Sequence, residues 1–161
     1  MLFQVSWLVL VLGHEGKFYL LSIPLILFYL AVEIYGANKP TISLAYYLPK
    51  IFLFAIGCIT DWYFAKLQLI QFASDETNLP FWLLLLWLLF SITFNNCYGW
   101  LKNRQLLAAI LGSLFGPASY WAASRISSVE ILSPFIFTLF SSIFWGLLFV
   151  VFLKNKPDKI I

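Results

Sequence analysis

The chain has 161 residues, of which 62% are hydrophobic and only 11% charged, with a net charge of +3 and a mean hydropathy of +0.90. An ordinary soluble domain carries about 25% charged residues, so this composition excludes a water-soluble globule and points to lipid as the solvent. At about 20 residues per spanning helix there is room for six or seven spans and for no sizeable soluble domain.

Six apolar segments follow one another, at 2–13, 18–36, 47–71, 80–100, 105–123 and 131–153, and a basic tail occupies 154–161. Polar or helix-breaking clusters separate them: Gly13–Gly16, Ala37–Pro40, Ser74–Asn78, Lys102–Arg104 and Ser124–Glu130. These define an all-α transmembrane bundle of six spans, five at minimum, forming one domain over 1–153, with no internal repeat evident. The first segment is the shortest. Its 12 to 16 residues rise about 18–24 Å, less than a hydrocarbon core of about 30 Å, so it is either a thin span or half of a hairpin. No Lys or Arg precedes it and further spans follow, which reads as a retained helix rather than a cleaved signal.

If all six segments cross, one side carries Lys39, Lys50, Lys102, Arg104, Lys154, Lys156 and Lys159, against Lys17, Lys66 and Arg125 on the other. The positive-inside rule then puts both termini in the cytoplasm.

Polar residues inside the spans carry the functional interest. In the third, Gly57-x3-Asp61 sets a carboxylate within an apolar run, about 16 Å from the Lys50 end and close to the bilayer midplane. A charge at that depth costs about 2.5–3.5 kcal/mol on insertion scales and persists only with a partner, a wet cavity or a proton. Small and polar residues recur on single faces: Gly57, Asp61, Ala65 and Gln68 in the third span, and Trp87, Ser91 and Asn95 in the fourth. Ala108, Gly112 and Gly116 do so in the fifth, and Thr138, Ser142 and Gly146 in the sixth. The last two stripes read first as packing seams. Pro117 deprives the Ser113 carbonyl of its helical hydrogen bond. In lipid that carbonyl needs another donor, and a protonated Asp61 at matching depth is a candidate, with Lys66 a rival partner for the acid.

Asp61, Ser113, Pro117 and Tyr120 therefore form a candidate midplane polar site. Glu33, Asn95 and Asn96 fall in a second layer, nearer the cytoplasm, where Glu33 also reads as a carboxylate snorkelling to the interface. Gly57, Ala108, Gly112 and Gly116 are candidate packing residues.

Other chemistries find little support. Cys58 and Cys97 lack metal or redox spacing and read as small packing residues, and His14 is the single histidine, in a short loop. No catalytic constellation or cofactor motif is present, so an intramembrane enzyme ranks low, and the short Lys154–Lys159 tail suits anionic lipid rather than nucleic acid. The expected partners are the lipid bilayer and a homo- or hetero-oligomer in the membrane, with any small-molecule ligand unidentified and no cofactor or metal.

The motifs Trp7, Gly57-x3-Asp61, Pro80-x-Trp82-x4-Trp87-x2-Phe90-x4-Asn95 and Gly112-x3-Gly116-Pro117-x2-Tyr120 cover nearly the whole chain. In them the chain resembles a family of uncharacterised small bacterial inner-membrane proteins, known as a domain of unknown function. The resemblance implies residence in the bacterial inner membrane and no particular activity. Two roles stay open: small-molecule or lipid transport or handling through a midplane polar cavity, and a non-catalytic subunit or scaffold that associates through faces such as Gly112-x3-Gly116.

Overall fold

In a computed structural model, residues 2–13, 18–35, 44–72, 79–126 and 129–154 are described. Among them are six α-helices: α1 (Leu2–Leu12), α2 (Ser22–Tyr35), α3 (Leu44–Lys66), α4 (Phe81–Tyr98), α5 (Gln105–Ser124) and α6 (Pro134–Lys154). Four of them, α3 to α6, are long and apolar enough to cross a membrane; α4 reaches that length with a 3-10 turn at Gly99–Leu101. The two expected N-terminal spans are shorter. α1 has 11 residues and α2 has 14, the latter preceded by a 3-10 turn at Phe18–Leu21.

Two short strands, β1 (Ile70–Phe72) and β2 (Val129–Ile131), pair antiparallel with Gln71 opposite Glu130. Each lies in the connection of a helical hairpin, β1 between α3 and α4, β2 between α5 and α6. The expected span 47–71 had counted Ile70 and Gln71 as helix, and the span 131–153 had counted Ile131, while Val129 and Glu130 had been read as part of a polar connection. α3 instead stops at Lys66 through a Schellman turn. The Leu69 N–H bonds to the Phe64 carbonyl at 2.9 Å and the Gln68 N–H to Ala65 at 3.0 Å, with Gln68 at φ 53°. Gln68 consequently leaves the Gly57, Asp61, Ala65 face on which helical periodicity had put it.

α4 is the pillar of the fold. One side packs on α3. Another carries Leu85, Leu89 and Ile92 against Leu10 of α1 and Ile26 of α2, a small apolar cluster that holds the two short helices in place. α5 and α6 form the tightest pair in the molecule. Their seam is the small-residue stripe: Gly112 lies against the Trp145 carbonyl and the Phe149 ring, and Gly146 against the Ser113 hydroxyl. Phe64 meets Phe137 edge-on at 5.4 Å and joins α3 to α6. α5 runs unbroken through Pro117. Outward faces such as Phe52, Ile56, Leu106, Leu114, Phe135, Phe140 and Leu147 remain exposed, as a lipid environment permits.

Candidate functional site

Asp61 is fully buried. The indole N–H of Trp87 donates to its Oδ2 at 2.7 Å and the Tyr120 hydroxyl donates to its Oδ1 at 2.5 Å. One carboxyl thus ties three helices together: α3 holds the acid, α4 the indole and α5 the phenol. Local sequence makes this possible. Gly57, one turn before Asp61, leaves room for the Trp87 ring, into which a Cβ at that position would intrude. Gly116, one turn before Tyr120, accommodates Trp145 in the same way. The two tryptophans stack with centroids 5.4 Å apart and ring planes 14° apart.

Of the residues singled out from sequence, Asp61 and Tyr120 come together. Ser113 does not join them; its hydroxyl points to Gly146 on α6. Pro117 is buried within α5, and Lys66 lies over the Trp62 ring at 5.6 Å rather than at Asp61. Asn95 is half-buried, with its Oδ1 unpartnered, and Asn96 is exposed. The Glu33 side chain, like His14, lies outside the described residues. Ala108 is fully buried on the same face of α5 as Gly112 and Gly116. Both cysteines are free, and no group of metal-ligating side chains occurs among the described residues.

Two participants escaped sequence reasoning. Trp87 had been placed on the polar face of the fourth span without a role, and Trp145 had none. Their position is the available signal: tryptophan favours the membrane interfaces, and one buried at mid-span usually seeks a partner for its N–H, which Trp87 finds in Asp61.

Beside the acid lies a half-open cavity of about 580 Å³. α1 and α4 form one wall, with Trp7, Leu86 and Phe90, and α5 the other, with Phe115, Ser119 and Ala123. It runs from Phe72, Trp82 and Val129 at the strand end to Trp100 and Leu101 at the opposite end, about 28 Å along α4 at 1.5 Å per residue. α4 and α5 are consecutive, but α5 packs closely on α6 rather than on α4. The lining is mostly aromatic and aliphatic, with Asp61 the one acidic side chain among the described residues that line it.

A helical bundle with four helices of membrane-spanning length, a buried carboxyl at its centre and an apolar groove alongside defines the class. The model of the family described as protein of unknown function DUF2878 matches residues 1–151, and the chain belongs to that family. No curated protein and no solved structure matches it.

Proposed function

We propose that the protein resides in the bacterial inner membrane, with its termini cytoplasmic, and handles or transports a lipid-like molecule that enters the groove between α4 and α5. The observation that carries this reading is the groove itself. At about 580 Å³ it lies within the range of small-molecule pockets, and it has the length of a hydrocarbon core, about 30 Å. Its walls suit an acyl or isoprenoid chain, and Asp61 offers one polar anchor, since each carboxylate oxygen can accept more than one hydrogen bond. The positive-inside distribution supports the orientation, and the four long helices support membrane residence. The scaffold alternative draws less support, because the Gly112 and Gly116 face that would serve association is covered by α6 of the same chain.

The test is extraction in mild detergent and mass spectrometry of the lipids retained. The wild-type protein should hold a defined chain-bearing lipid. Ala118→Trp, at an exposed position of the groove wall, should reduce that retention at least several-fold while leaving the thermal transition unchanged. Equal retention by the two proteins, or none by the wild type, would sink the reading.

A further inference from the structure

Gly57, Asp61 and Ile70 stand to α3 and β1 as Gly116, Tyr120 and Val129 stand to α5 and β2, each 59 positions further along the chain. The same displacement pairs Thr60 with Ser119, Trp62 with Trp121, Lys66 with Arg125, Leu67 with Ile126 and Gln71 with Glu130. On the helices that follow, Trp87 and Trp145 are 58 apart, and Phe90 and Phe149 are 59 apart.

The spatial relations repeat as well. Gly57 seats Trp87, and Gly116 seats Trp145. Trp87 bonds to Asp61, and Trp145 interacts with Tyr120, the counterpart of Asp61, although its N–H stops short of a full hydrogen bond. Each pair of counterparts then meets across one line: Asp61 with Tyr120, Trp87 stacked on Trp145, and Gln71 opposite Glu130. The strand register, with Ile70 facing Ile131 and Phe72 facing Val129, is the one that a two-fold axis through the middle of the ribbon requires.

We infer that α3–β1–α4 and α5–β2–α6 are two copies of one helix–strand–helix unit, related by a pseudo-two-fold axis along the membrane normal, and that Asp61 and Tyr120 are equivalent positions diverged to acceptor and donor. α3 and α5 both end at the strands and so cross in the same direction, which fixes the axis along the normal, the arrangement of parallel repeats in transporters. α1 and α2 pack on α4, and among the described residues no pair of helices packs on α6 in the same way.

The repeat hides in the sequence for two reasons. Apolar helices match one another at most offsets, and the link from strand to helix differs, with 73–80 in the first unit and 132–133 in the second.

Equivalence predicts that the two side chains can be exchanged. Asp61→Tyr and Tyr120→Asp should each lower the melting temperature of the full-length protein in detergent. The first variant buries two phenols with no carboxylate, and the second sets two carboxyls face to face. The double variant should recover most of the loss, because the exchanged acid at 120 would meet Trp145, as Asp61 meets Trp87. Additive losses in the double variant would overturn the inference. Spin labels give a second measurement that does not depend on tolerance at the buried site. The axis requires the separation between positions 62 and 125 to equal that between 66 and 121, so paired labels in otherwise wild-type protein should return matching distance distributions. Clearly different distributions would refute the two-fold relation.

Discussion

The Tyr120 hydroxyl and the Asp61 carboxyl, 59 residues apart in sequence, share a hydrogen bond in the buried centre of the bundle, and Trp87 occupies the second oxygen of the acid. A buried donor left without its acceptor costs about 1–3 kcal/mol. Asp61→Ala strands two such donors and should destabilise the protein by about 2–6 kcal/mol on that scale. Asp61→Asn keeps one acceptor oxygen and the side-chain shape, so its loss should be smaller. Tyr120→Phe, which removes a donor and leaves the acid bonded to Trp87, should cost about 1.5–3 kcal/mol. Thermal unfolding of the purified variants orders them, and equal transitions for Asp61→Ala and Asp61→Asn would contradict the bonding scheme.

Gly57→Ala probes the fit beneath Trp87. The ring cannot retreat freely, because its N–H is held by Asp61 and its face by Trp145. One added methyl should therefore act as overpacking, costing about 1–3 kcal/mol. The indole should also shift away from the acid, altering its fluorescence. A spectrum and melting curve identical to wild type would mean that the packing is looser than described.

At the seam between α5 and α6, Gly112→Val sets a branched side chain against the Trp145 backbone carbonyl and the Phe149 ring. The expected outcome is a lower melting temperature with no change in oligomeric mass, measured by light scattering with correction for detergent. A loss of oligomer at unchanged stability would instead place this face in an intermolecular contact.

Gln68 adopts a left-handed conformation that costs a residue with a Cβ about 1–2 kcal/mol. Its side chain is exposed. Gln68→Gly removes that strain at the end of α3, and a gain of about 1 kcal/mol is expected from denaturation in detergent. A decrease would show that the Gln68 side chain makes a compensating contact.

Much of the architecture can be read from the order of residues. The third to sixth apolar segments become the four long helices, and Asp61 stands out because a carboxylate is costly at that depth. Tyr120 is reachable by the same depth count. The strands are not legible, since Ile70–Phe72 continues an apolar run, Val129–Ile131 straddles a polar connection and the next span, and three residues cannot separate a period of two from one of 3.6. Periodicity also cannot tell which neighbour a polar face meets. It put Asp61 near the Ser113 carbonyl, whereas packing turned Ser113 toward α6 and brought two aromatic donors to the acid. α1 stops short of spanning length because its apolar run ends at Gly13, and α2 because the start of its run, Phe18–Leu21, is a 3-10 turn; packing on α4 holds both.

The β1–β2 ribbon has a mechanical consequence. It fastens the two hairpins to each other at one end of the bundle, while at the other end α4 passes to α5 through the 3-10 turn and Lys102–Arg104. Both ends of the α4–α5 groove are thus tied, one by strand hydrogen bonds and the other by a short covalent turn. On the proposed function, a chain-bearing guest would enter sideways between the helices rather than through either rim.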